Sequence, residues 1–239
     1  MLRTTIAVTA AAALMLAVSA AAADLKLELG LEFTPTNLQD TGYEAVSSDD
    51  LSVYRAGGDI RLDTGSLGGI HLVPFIGYRF GYDEGEPYYE LDTQIMTSDF
   101  LAGLRVRGWV LSWLGLFAEA HGGLFWVRLD GEIIDDSYLY GETAGARDRY
   151  QDDQLTWSAG GLAGVEVRIS PRWLESRGVT WFDFGAELGA GYIRRGAVAF
   201  KPDLQGGDEH SLPVGQTAEW GEIDMSGWFV QLGLTFTFL

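Results

Sequence analysis

Glu119 and His121 stand two residues apart in the stretch LGLFAEAHGGLFW. On a strand that spacing puts both side chains on one face, where a carboxylate could orient an imidazole acting as a general base. A nucleophilic arrangement also needs a hydroxyl beside the histidine, and position 123 is Gly. Ser158 shares the same facing but lies far along the chain, and nothing in the sequence brings it to His121. With no cysteine anywhere, disulfide and thiolate–metal chemistry are excluded. No catalytic residue, cofactor or metal site is assigned, and a histidine among other charges reads as a structural partner. The elements that hold these two residues carry more information than the pair itself.

Those elements are strands. Met225–Leu239 alternates between a greasy side (Trp228, Val230, Leu232, Leu234, Phe236, Phe238) and a small or polar one. The same period of two gives eight strands, near residues 24–34, 51–62, 70–82, 97–109, 113–128, 154–169, 179–194 and 225–239. Connections alternate as well: 35–50, 83–96, 129–153 and 195–224 are long and polar, and 63–69, 110–112 and 170–178 are short. The 32 glycines and 30 aromatic residues favour strands and turns over helices. Residues 1–23 carry Arg3, an apolar stretch from Ile6 to Val18 and a small-residue exit, the pattern of a cleaved signal peptide. One β domain is then expected over 24–239.

Each strand has a face without charge, from Leu27, Leu29, Leu31 and Phe33 on the first to Leu188, Ala190 and Tyr192 on the seventh. A Lys or Arg facing mid-membrane lipid costs about 2–4 kcal/mol, so this face is expected to meet hydrocarbon. Phe33, Tyr54, Tyr82, Phe100, Trp126, Trp157, Tyr192 and Trp228 lie on it toward the long connections, as an aromatic belt would. The opposite face carries Lys26, Glu28, Glu32, Arg55, Asp59, Arg61, Arg79, Asp99, Arg105, Arg107, Glu119, His121, Glu166, Arg168, Asp183 and Glu187, with glycines between them. An eight-stranded barrel is only wide enough inside for its own side chains, so these residues are expected to pair into a polar plug.

The net charge of −18 sits in the long connections, which hold 23 acids against 4 bases. An anionic rim disfavours nucleic-acid partners, which need exposed bases. It could recruit divalent cations bridging to lipopolysaccharide, and Asp135–Asp136 and Asp152–Asp153 could lend oxygens, though neither pair has a recognised calcium-loop spacing.

With these features the chain resembles the small eight-stranded outer-membrane barrels, OmpA/OmpX-like and more distantly OmpW-like. The most specific likeness is the terminal strand, where Val230, Leu232, Leu234, Phe236 and Phe238 match the family's assembly signal; Leu239 follows where the family usually ends on the aromatic residue. The resemblance implies an all-β, transmembrane, antiparallel up-and-down barrel in the outer membrane of a Gram-negative bacterium. Its expected partners are outer-membrane lipids, lipopolysaccharide and the barrel assembly machinery. A structural or surface-interaction role is expected, with a narrow solute channel as the alternative. A lipid-modifying enzyme resting on Glu119 and His121 comes third.

Overall fold

The computed structural model describes residues 26–38, 52–88, 91–133, 148–169, 176–178, 182–200, 203–205 and 222–238. The expected signal segment over 1–23 lies outside them. Eight strands form the wall: β1 Lys26–Leu38, β2 Ser52–Asp63, β3 Ile70–Tyr88, β4 Leu91–Leu111, β5 Leu114–Ile133, β6 Asp148–Arg168, β7 Phe182–Arg195 and β8 Gly227–Phe238. Each pairs antiparallel with its sequence neighbours, and β8 returns to β1 from Leu27↔Phe238 to Leu38↔Gly227. The sheet is therefore a closed up-and-down barrel, and closure removes the free edges that lipid cannot satisfy.

Closure needs a tight return at one end. Between β2 and β3, the short strand Ser66–Leu67 folds back on Ile70 and His71 through Gly68 and Gly69, at φ of 63° and 86°. Both central residues of such a turn need positive φ, which glycine reaches without steric cost.

The eight strands stand where the alternation places them, but four run longer than expected. β3 to β6 span 19, 21, 20 and 21 residues, against 12 to 14 for the other four. The expected loop over 83–96 is mostly strand, with Asp83 to Gly85 paired to Thr93 to Ile95 and Tyr88 to Leu91. The expected loop over 129–153 likewise begins and ends in paired strand, from Leu129↔Asp152 to Ile133↔Asp148. In these extensions the inward face stays buried, but acids occur on both parities, so alternation fades while backbone pairing continues. Loop four also has structure: Asp203–Gln205 extends the sheet along β6 at Arg149–Gln151, and Val198–Ala199 pairs with Glu222–Ile223.

Candidate functional site

The interior is built from the charged face of every strand. Seven arginines and nine acids on that face are at least partly buried, and most of them bridge strands that are not neighbours. Glu187 on β7 accepts from Arg61 on β2 and Arg105 on β4, each at 2.5 Å. Arg105 also holds Glu119 at 2.8 Å, and Arg61 Nη2 donates to Asp59 at 2.8 Å. Arg79 on β3 holds Glu32 on β1 at 2.5 Å. Toward the turn end, Arg107 reaches Glu28, Asp63 and Glu166, at 2.8, 2.6 and 3.2 Å. Arg168 joins the same group at Glu166 and Glu28, and His71 meets Asp63 at 3.0 Å. Toward the loop end, Asp99 lies between Arg195 at 2.8 Å and Arg55 at 3.5 Å. Most of these charges have an opposite within reach, as the burial of ions requires.

All sixteen inward residues expected to pair lie on the lumen face, and the structure joins fourteen of them, leaving Lys26 and Asp183 without an ion pair among the described residues. Asp183 is buried at the turn end. Two members escaped the sequence reading. Arg195 was placed in a loop and Asp63 in a turn, whereas both end their strands on the inward parity. Continuing each strand by one residue would have found them.

Charge is not all that fills the lumen. Phe125, Val127, Leu129, Ile95, Leu38 and Val53 point inward at the loop end and pack with Val198, Phe200, Ile223 and Met225 from loop four. This apolar tier lies at the loop end beyond the ion pairs, and Arg195 joins the two by donating to the Met225 carbonyl at 2.7 Å. Lower down, Phe117, Leu162, Ile193 and Phe229 form a second apolar cluster. Arginines lie over its rings, Arg105 at 4.2 Å from Phe117 and Arg79 at 5.9 Å from Phe229, as cation–π contacts favour. The lining of the lumen is thus mixed, where the sequence alone suggests a polar one.

Glu119 and His121 belong to this packing. His121 Nδ1 lies 3.1 Å from Glu119, whose other oxygen is held by Arg105, and the imidazole ring leans on Phe229. Ser158 on β6 lies opposite Gly123, diagonal to His121, but no hydrogen bond joins them. The pair holds the wall together around a filled interior.

Outside, the charge-free face is the exposed one. Leu31, Ile60, Phe100, Leu188, Trp228 and Leu232 are each half exposed or more, while their inward neighbours Glu32, Arg61, Asp99, Glu187, Phe229 and Gln231 are buried. Belt aromatics pair across strands, Phe33 with Tyr54 at 6.0 Å and Tyr192 with Trp228 at 5.2 Å. A closed sheet with apolar side chains outside and ions inside is a barrel turned toward hydrocarbon. The chain is a closed eight-stranded antiparallel β-barrel with an apolar exterior. No protein-family model matches the chain, and no curated protein does. Among solved structures it is similar to Ail of Yersinia pestis, at 9% identity and a TM-score of 0.39, over 90% of this chain and 96% of that one. Neisserial surface protein A is similar at 11% identity and a TM-score of 0.41, over the same shares. The N-terminal β-barrel domain of Pseudomonas aeruginosa OprF gives 14% and 0.28, over 88% and 97%. The barrel assignment stands on the geometry of this chain.

Proposed function

We propose that this protein is a structural, surface-interaction component of the Gram-negative outer membrane, with a plugged lumen that conducts nothing. The carrying observation is the bridging of β7 to β2 and β4 by Glu187, Arg61 and Arg105, beneath a mouth filled by Phe200 and Met225. The inward glycines, which favoured a solute channel, work against that reading. A Cβ on Gly103 would stand 2.6 Å from the Phe75 ring, and one on Gly164 would stand 2.8 Å from Phe117, so aromatic side chains already take the space. An enzymatic reading is weakened by the engagement of Glu119 with Arg105.

The interaction surface lies above the belt, where β3 to β6 carry Asp83, Glu84, Asp92, Asp130, Asp152 and Asp153. Such a surface favours basic partners or cation-bridged lipopolysaccharide. Asp152 accepts from Gln154 at 3.1 Å, and Asp135–Asp136 lie outside the described residues. Single-channel recording of the protein in planar bilayers tests the plug. No steady conductance is expected, and a reproducible open level overturns the reading.

A further inference from the structure

On β7 the charge-free outer face ends at a base. Arg194 is exposed, on the outward parity, two residues loopward of Tyr192. Arg128 on β5 also points outward, but Asp130 holds it at 2.7 Å. The Arg194 guanidinium has no ion pair or hydrogen bond among the described residues. Two acids follow on the same side of the rim. Glu222 lies farther out, opposite Ala199, and Asp224 accepts from the Ser226 amide at 2.9 Å.

Belt aromatics surround this base. The register puts the small Ala159 of β6 opposite Arg194, with Trp157 on the loopward diagonal. On the other side, β8 puts Trp228 on the turnward diagonal, beside Tyr192. Both indoles are exposed. An added Cβ at Gly196 would stand 2.8 Å from Trp157 Nε1, so that nitrogen lies over β7, loopward of Arg194. Guanidinium and indole groups donate hydrogen bonds and accept none. Neither indole nitrogen has an acceptor among the described residues. A full positive charge beside donor-only neighbours suits an anion with several oxygens, and a phosphate matches the fork of a guanidinium. Height on the wall selects its source. Arg194 stands at the aromatic belt of the loop end, above hydrocarbon-facing Leu188 and Ala190, where the headgroups of the outer leaflet lie. In a Gram-negative outer membrane those phosphates belong to the lipid A of lipopolysaccharide.

We infer that Arg194, flanked by Trp157 and Trp228, binds a phosphate of lipid A directly, without a bridging metal ion. The inference rests on the outer-membrane reading above, and it places lipopolysaccharide on β7 rather than on the acids of β3 to β6. It is tested by refolding the protein into phosphatidylethanolamine vesicles containing lipid A, extracting it in mild detergent with EDTA and weighing it by native mass spectrometry. The wild type is expected to keep lipid A and to keep its dephosphorylated form at least about tenfold less, as the loss of a charge-assisted hydrogen bond implies. Arg194→Gln is expected to lose lipid A to the same degree, Arg194→Lys to lose less of it, and Arg128→Gln to keep it. Retention of lipid A by Arg194→Gln at the wild-type level refutes the site, and so does equal retention of the dephosphorylated form. Loss of the wild-type adduct in EDTA alone assigns the contact to cations bridging the acidic strands, and equal retention of phosphatidylglycerol denies the choice of lipid A; each overturns the proposal. Folding is read separately, as resistance to SDS without heating. Folded barrels without bound lipid A overturn the Arg194 site alone, whereas a chain that stays monomeric in water without detergent overturns the membrane reading with it.

Discussion

Glu187 is the residue on which the interior turns, because two arginines reaching across from β2 and β4 share its carboxylate. Glu187→Gln keeps the shape and removes the charge, leaving Arg61 and Arg105 in a sealed space with one acid fewer. Breaking a buried pair from one side costs about 3–5 kcal/mol. A loss of that size is expected in guanidinium unfolding of the lipid-reconstituted barrel, and a change within a few tenths would deny Glu187 this role. Arg79 and Glu32 offer the complementary measurement, as a bidentate pair with no other acid bonded to Arg79. Each single replacement by Leu is expected to destabilise strongly, and the double replacement much less than the sum, since no uncompensated charge remains. Additive single costs would count against the pair. These inward residues were readable from sequence because charge and strand parity coincide. Their partners were not: nothing local in Glu187 points to Arg61, 126 residues away.

Strands were legible wherever two different solvents touch their two faces. On β8, Leu232 pairs with Phe33 on β1 and Leu188 on β7, all facing outward, while Gln231 and Thr235 are sealed inside. Leu232→Arg is therefore expected to cost about 2–4 kcal/mol of barrel stability, the penalty for a base in mid-membrane. Lipid-reconstituted unfolding midpoints would show it, and indifference to the charge would place Leu232 in water. The upper reaches of β3 to β6 were illegible because the polarity pattern breaks down there. Around YDEGEPY, residues 82–88, acids and glycine occupy both parities, Asp83 and Gly85 inward and Glu84 outward, so the segment reads as loop although Gly85 is buried. The apolar tier escaped for another reason. Val198 and Phe200 are separated from Ile223 and Met225 by 22 intervening residues, and the pairing of Val198–Ala199 with Glu222–Ile223 brings them together.

At the level of the whole molecule, the proposed plug has two parts. An ionic tier occupies the middle and turn end and an apolar tier the loop end, and on that proposal opening one is expected not to open the other. Phe200→Ala with Met225→Ala is expected to stay silent in planar bilayers while losing stability. The same pair combined with Arg61→Ala and Glu187→Ala is expected to pass ions. Conduction by the mouth variant alone would show that the lower tier leaks. The unequal strand lengths have an effect of another kind. Seven extra residues at about 3.3 Å each, on strands tilted about 40°, raise one side of the rim by about 18 Å. The molecule is thus an obliquely cut tube, and it has a front and a back. A particle drifting in from the low side meets the stopper of loop four first, while one from the high side meets an acidic palisade. Neighbouring copies packed in one leaflet would turn with respect to one another, so that their palisades avoid each other's charge.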